Sequence, residues 1–282
     1  MKRLISLLAV CVFMFPLFAT NAYAVGLDYV TAKSYIIMDA QTGEVVAERN
    51  MDEKAYPASI TKIMTIALAL ETYDGDKEDM QNEWYTATKS AAYVPYKSTA
   101  IYLQPGEKIT MWDALMATEI KSANDAANAL AEITYGSMED FVEAMNQKAE
   151  ELGCQNTHFS NTHGYHEDNH YTSAHDIALI TKWALTVPYF QEIFSTLEYT
   201  IPATEYFSER HLTTQNLMAE GQKFAYPGLI GGKSGWTDVS GYTQVEVAQR
   251  NEKTYIAVVM DSDGFNQKFY DCSVMLDIAF AA

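Results

Sequence analysis

The chain has 282 residues, 48% of them hydrophobic, with 37 acidic against 19 basic side chains and a formal net charge of −18. That length suffices for one or two packed lobes around a real core. The acidity argues against a nucleic-acid partner and against anionic membrane surfaces, both of which repel a negative protein.

The first 24 residues read as a secretory signal. Lys2 and Arg3 form a charged start, residues 4–18 an apolar run, and Ala22-Tyr23-Ala24 an A-x-A cleavage site. The run is short for a membrane span of about 20 residues, which favours cleavage over a retained anchor. The expected mature chain begins near Val25, is secreted or otherwise extracytoplasmic (wall or periplasm), and has no membrane anchor. Loss of Lys2 and Arg3 takes its net charge from −18 to −20. Cys11 leaves with the signal. Cys154 and Cys272 remain and could pair in an oxidising compartment, but two cysteines are no disulfide scaffold.

Residues 33–39 are β-rich, 40–43 turn, and 44–49 alternate apolar and polar, which predicts a hairpin. Pro57 precedes Ser59, and residues 60–71 carry apolar side chains at helical spacing. Ser59 therefore sits at or just inside a helix N-terminus, where backbone N–H groups favour negative charge. The middle is mostly helical. Residues 111–131 and 138–152 are periodic, and Ser173-Ala-His-Asp176 reads as a capping box opening a helix over 177–185. Strands return over 229–234, 242–248 and 254–260, with a hairpin turn at 250–253, and a last helix is expected over about 265–280. Strands at both ends with helices between predict an α/β (α+β) fold: one antiparallel sheet built from both ends, flanked by helices, with an inserted helical lobe. There is no internal repeat, linker or low-complexity tract, and no second β-rich domain is expected after the last helix.

Three short patterns occur in order: Ser59-Ile-Thr-Lys62, Ser122-Ala-Asn124 and Lys233-Ser234-Gly235. Alone, each fits a bland role: an exposed Ser/Lys pair, a helix cap, a glycine-rich turn. Together they supply what acyl transfer through a serine ester needs. Ser59 and Lys62 share a helix face one turn apart. A serine hydroxyl is a poor nucleophile until a base takes its proton, and lysine can do so only when neutral. At pH 7 neutrality costs about 4.6 kcal/mol from a reference pKa near 10.4. Burial and a second cation lower that cost, and Lys233 is the obvious second cation. Ser122 and Asn124 lie in a polar break between apolar stretches, where a hydroxyl can pass a proton to a leaving amine and an amide can bond a peptide group. Neighbouring Lys121 and Asp125 read as solvated charges. Gly231 and Gly232 precede the third pattern and would let a ligand backbone approach the strand. Lys233 and Ser234 would then hold a free carboxylate.

His166-Glu-Asp-Asn-His170 is literally H-E-x-x-H, the pattern of two zinc ligands and a general base on a helix. Gly164 before it, the turn formers Asp168 and Asn169, and the cap at Ser173 argue against a helix there. Neither metal nor cofactor is expected.

With these residues the chain resembles the D-alanyl-D-alanine carboxypeptidases, low-molecular-mass penicillin-binding proteins of the serine DD-peptidase group with a β-lactamase/DD-peptidase-like fold. The resemblance spans residues 27–281. It includes Tyr56-Pro-Ala-Ser-Ile-Thr-Lys-Ile-Met-Thr65, Leu152-Gly-Cys-Gln-Asn-Thr-His-Phe159, His163-Gly, Asn169-His-Tyr-Thr172 and Gly231-Gly-Lys-Ser-Gly-Trp-Thr-Asp238. It implies removal of the terminal D-alanine from peptidoglycan stem peptides ending in D-Ala-D-Ala, and covalent inhibition by β-lactam antibiotics. Ser59 would be the nucleophile, Lys62 the base and Ser122 the proton relay. Asn124 would orient the acyl part, and Lys233, Ser234 and Gly235 would bind the carboxylate end. Backbone N–H groups of Ser59 and Trp236 would form the oxyanion hole. The chain departs from the family pattern in having Ser234 where threonine is usual, which allows weaker carboxylate binding. It also has no arginine after Val258, where many relatives use one for the carboxylate. Two alternatives share these residues: a β-lactamase, which lacks support because no E-x-x-L-N-like segment lies between Asn124 and Lys233, and a non-catalytic peptidoglycan-binding or sensor module.

Overall fold

The computed structural model describes residues 26–282, so the expected signal lies outside the described residues. The chain opens on the expected hairpin, β1 (Ser34–Asp39) and β2 (Val45–Arg49). A 3₁₀ turn (Ala58–Thr61) runs directly into α1 (Lys62–Thr72). The lobe follows with α2 (Lys77–Asn82), β3 (Trp84–Thr86), α3 (Lys89–Ala92), β4 (Lys108–Thr110) and α4 (Met111–Met116). A π-turn (Ala117–Lys121) then leads to α5 (Asn124–Tyr135) and α6 (Met138–Glu151). After a long loop come α7 (Ala174–Ala184), α8 (Phe190–Ser195), β5 (Glu198–Ile201) and β6 (Arg210–Thr213). The last third is β7 (Leu229–Thr237), β8 (Gly241–Arg250), β9 (Lys253–Ser262) and α9 (Gln267–Ala281).

The main sheet has the order β2-β1-β9-β8-β7, antiparallel throughout. Strands from the two ends of the chain meet where β1 pairs with β9, as the order of elements predicted. Both faces are covered, which explains why β1 reads as a nearly continuous apolar run instead of an alternation. Ile36 and Met38 face the core shared with the helical lobe, while Tyr35 and Ile37 face the layer filled by α9. α1 crosses the first of these cores and is buried from Lys62 to Leu70. A helix apolar on all sides belongs in an interior. The catalytic candidate at its first turn is thereby fixed in the middle of the molecule.

Several expectations need correction. The predicted helix over 111–131 is three pieces, because the π-turn and residues 122–123 interrupt it. Two short antiparallel strand pairs, β3–β4 and β5–β6, lie within the lobe and carry too few residues to show a period. Only half of the capping box forms: Ser173 Oγ accepts from Asp176 N at 3.1 Å, but the Asp176 carboxylate accepts instead from Asn156 N (2.7 Å) and Thr157 Oγ1 (2.8 Å). Cys154 and Cys272 are unpaired, since one packs against the lobe core and the other lies in the α9 layer across the sheet.

Candidate active site

Ser59 lies in the 3₁₀ turn before α1, where backbone N–H groups have no partner within the helix. The residue before it, Ala58, has φ +51°, a left-handed conformation costly for a residue with a Cβ. The loop over 160–170 braces this turn. Gly164 (φ +83°) comes so close that a Cβ there would lie 1.8 Å from Ala58 O, which only glycine avoids. His170 Nδ1 accepts from Ser160 N at 3.0 Å, so its other nitrogen carries the proton and donates to Thr61 Oγ1 at 2.9 Å. Burial, ahead of nearby charges, lowers His170 to about 3, leaving it a neutral strut. His166-Glu-Asp-Asn-His170 is loop and turn, so its histidines do not share a helix face.

Lys62 is fully buried, and its Nζ donates to Ser59 Oγ at 3.1 Å, Asn124 Oδ1 at 2.8 Å and His163 O at 2.7 Å. Burial lowers its pKa well below the ordinary lysine value, and repulsion from Lys233 adds to that. Asp125 and Glu119 act in the opposite direction. The partners decide what the neutral amine does. Asn124 Oδ1 and His163 O can only accept, so the two remaining N–H bonds go to them. The lone pair is then left for the Ser59 hydroxyl, and the amine becomes an acceptor for the proton of Ser59.

Ser122 ends the π-turn in a left-handed conformation (φ 60°, ψ 34°). Such π-turns recur at functional sites because they push one residue out of helical register. Its buried Oγ has no hydrogen-bond partner among the described residues. Asn124 is held two residues on, its backbone N–H donating to Thr99 O at 2.8 Å. Asp125 is fully buried, contrary to the expectation of a solvated charge. Its carboxylate accepts from Ile101 N (3.1 Å) and Leu103 N (2.9 Å) and anchors the loop beside the cavity. The sequence hid this because a lone aspartate looks the same whether it meets water or turned-in backbone N–H groups.

β7 is the edge strand that packs against the 3₁₀ turn carrying Ser59. A Cβ on Gly235 would lie 2.9 Å from both Pro57 O and Ser59 N and 2.4 Å from Thr243 Oγ1. The glycine lets the strand edge reach the nucleophile. Gly231 and Gly232 serve the protein's own packing, not a ligand: their Cβ positions are taken by Phe194 O and by the Glu246 carboxylate. Lys233 is buried, with its pKa lowered by burial and raised by Glu119. Glu119, which sequence reasoning missed, is itself raised to about 7, by burial first and against the pull of Lys233 and Lys62. It shares a small recess with Lys233 and Ser234. The Ser234 hydroxyl donates to Gln244 Oε1 across the strand pair. Trp236 is half exposed on the wall of a cavity of about 500 Å³ that also contains Ser59, Asn124, His163 and Thr237. The fold thus brings Ser59, Lys62 and Asn124 into hydrogen-bond contact and places Gly235 against them. Ser122 bonds to none of these.

A family model described as D-alanyl-D-alanine carboxypeptidase matches residues 21–264. The D-alanyl-D-alanine carboxypeptidase DacF of Bacillus subtilis is 34% identical over 100% of this chain and 72% of its own length. DacA of Escherichia coli is 30% identical over 90% of this chain and 62% of its own. The chain therefore spans roughly two thirds of these relatives. Among solved structures, the Streptomyces K15 DD-transpeptidase aligns with a TM-score of 0.81 at 26% identity, covering 90% of this chain and 98% of that one. A D-alanyl-D-alanine carboxypeptidase from Mycobacterium tuberculosis gives 0.79 at 26% identity, covering 89% and 92%.

Proposed function

Because the chain belongs to the D-alanyl-D-alanine carboxypeptidase family, serine peptidases of peptidoglycan, we propose that it removes the terminal D-alanine from stem peptides through an ester on Ser59. The observation that supports this reading is the contact set of buried Lys62 Nζ, 3.1 Å from Ser59 Oγ, 2.8 Å from Asn124 Oδ1 and 2.7 Å from His163 O, which leaves the lone pair of the neutral amine for Ser59. Lys62 takes the hydroxyl proton while Oγ bonds to the carbonyl carbon between the two D-alanines. The carbonyl oxygen becomes an oxyanion that the N–H groups of Ser59 and Trp236 receive; one such donor is worth about 2.7–4 kcal/mol.

Collapse of that intermediate breaks the C–N bond. The amine needs a proton, which Lys62 now holds and Ser122 relays, its hydroxyl having no competing partner. Free D-alanine leaves, water attacks the ester, and Lys62 again takes and returns one proton. Asn124 gives its Oδ1 to Lys62, so its Nδ2 is left for the acyl-side carbonyl of the substrate. Lys233 and Ser234 hold the terminal carboxylate. Penicillins, as cyclic mimics of the dipeptide, acylate the same oxygen. The site is extracytoplasmic, where peptidoglycan lies, and no helix of the described chain is long and apolar enough to cross a membrane.

Release of D-alanine from diacetyl-L-lysyl-D-alanyl-D-alanine, together with intact mass after benzylpenicillin, tests the proposal. The wild type should release D-alanine and carry one penicilloyl adduct mapped to Ser59, and Ser59→Ala should do neither. An adduct elsewhere would overturn the assignment, and rapid turnover of penicillin would point to a β-lactamase instead.

A further inference from the structure

Beneath β7 a line of polar side chains leads from Ser234 into the layer under α9. Gln244 Nε2 donates to Glu246 Oε1 at 2.6 Å, and Glu246 Oε2 accepts from Asn216 Nδ2 at 2.9 Å. Gln244 and Glu246 are fully buried, two apart on the face of β8 that packs toward α9. Burying such groups is costly, and an apolar pair would fill this layer at less expense. Here they sit directly behind the hydroxyl that, in the reading above, holds the substrate carboxylate, and the inference rests on that reading.

A hydroxyl has one proton. While Ser234 gives it to Gln244, the hydroxyl turns only lone pairs to the recess it shares with Lys233, and a carboxylate oxygen drawn in by the lysine meets repulsion at Ser234. Turning the Gln244 amide over reverses this. Nε2 then donates to Ser234 Oγ, and the hydroxyl proton is available to the substrate. The turned amide presents Oε1 to Glu246, which must hold a proton to satisfy it. Asn216 cannot adapt in this way, because its Oδ1 accepts from Met218 N at 2.9 Å and so fixes Nδ2 on Glu246. Burial raises Glu246 to about 8. Glu119 on the π-turn pushes the same way, while Lys268 on α9 and the two amides oppose it. Cys272 on α9 also interacts electrostatically with Glu246.

We infer that Gln244 is a positioning residue for the substrate: the direction of its amide decides whether Ser234 offers a proton or only lone pairs, and Glu246 decides the direction of the amide.

The test compares diacetyl-L-lysyl-D-alanyl-D-alanine with its C-terminal carboxamide, which lacks the charge. Gln244→Glu keeps an acceptor behind Ser234 and should raise KM for the acid roughly tenfold, the worth of one hydrogen bond to a charged group, with a smaller change in kcat and in the carboxamide. Glu246→Gln can always donate to the turned amide. At pH 6 it should match wild type, and at pH 9 its KM for the acid should be lower than wild type by a similar factor. Melting curves establish that each variant is folded, and either folded variant alone decides the matter. Wild-type discrimination between acid and carboxamide in Gln244→Glu, or KM values for Glu246→Gln that track wild type at both pH values, would overturn the inference. Ser234→Ala separates the two levels: if it leaves discrimination intact, the carboxylate assignment of Ser234 is what has failed.

Discussion

Gly235 and Ser59, 176 positions apart in the chain, approach so closely that a methyl group on the first would lie 2.9 Å from the backbone nitrogen of the second. Strand edge and nucleophile are therefore one rigid unit. Gly235→Ala must move either β7 or the Ser59 turn, and the added Cβ also meets Thr243 Oγ1. Overpacking of this kind costs about 1–3 kcal/mol. The expected result is a lower Tm together with a loss of kcat/KM of at least about tenfold, measured by D-alanine release and thermal melting. A variant with unchanged activity would show that the close approach does not position the nucleophile.

The pH profile follows from two buried lysines. Lys62 works as a base only when neutral, so acylation should rise as pH passes upward through its depressed pKa. Lys233 must stay charged to hold the carboxylate, and its pKa is lowered as well, so activity should fall again at higher pH. Glu119 raises both lysines. Removing its charge in Glu119→Gln should therefore move both limbs of the profile of kcat/KM toward lower pH. Limbs that stay in place, or move up, would contradict this electrostatic arrangement.

Lys62→Met keeps the volume and removes the base. A folded sample should lose about 10³-fold or more in acylation by a chromogenic cephalosporin, followed by stopped flow, as expected when a nucleophile loses its activating partner.

Ser122→Ala should separate activity from stability. The hydroxyl has no partner among the described residues, so its loss breaks no internal hydrogen bond and Tm should stay within about 2 °C of wild type. Turnover should nevertheless drop 10²–10⁴-fold, roughly what a positioned proton carrier contributes. Equal losses in both quantities would make Ser122 a structural residue.

Glu246 also makes a prediction about stability alone. Its carboxyl is raised from 4.5 to about 8 by burial, so between those values the folded state holds a proton that the unfolded state has released. Stability from this group is present at low pH and is lost as pH rises from about 4.5 to about 8. Glu246→Gln does not titrate. Its Tm relative to wild type should climb by roughly 5 °C or more between pH 5 and pH 8, read by calorimetry.

Much of this was legible in the residues. The strands of the main sheet, the longer helices, the β1–β2 hairpin, the turn at Asn251 and Glu252 and the helix after Ser59 follow from local periodicity and turn chemistry, which neighbouring residues determine among themselves. So did the pairing of Ser59 with Lys62, because spacing along one helical turn fixes which side chains share a face. What stayed hidden depended on partners distant in the chain. Asp125 turned out buried because loop N–H groups at 101 and 103 fold onto it, and Glu119 matters only because Lys233, 114 positions later, packs near it.

The amino-acid order by itself determined that a serine and a lysine lie one helical turn apart and that a strand carries a lysine and a hydroxyl; that this strand is the sheet edge is a matter of tertiary structure. Tertiary structure decided everything that depends on the proton. Whether Lys62 is neutral is a matter of burial and of Lys233. Where its lone pair points is set by Asn124 and His163, and what Ser234 can offer is set by Gln244 and Glu246. A pKa and a hydrogen-bond direction belong to an environment, and only the folded chain supplies one.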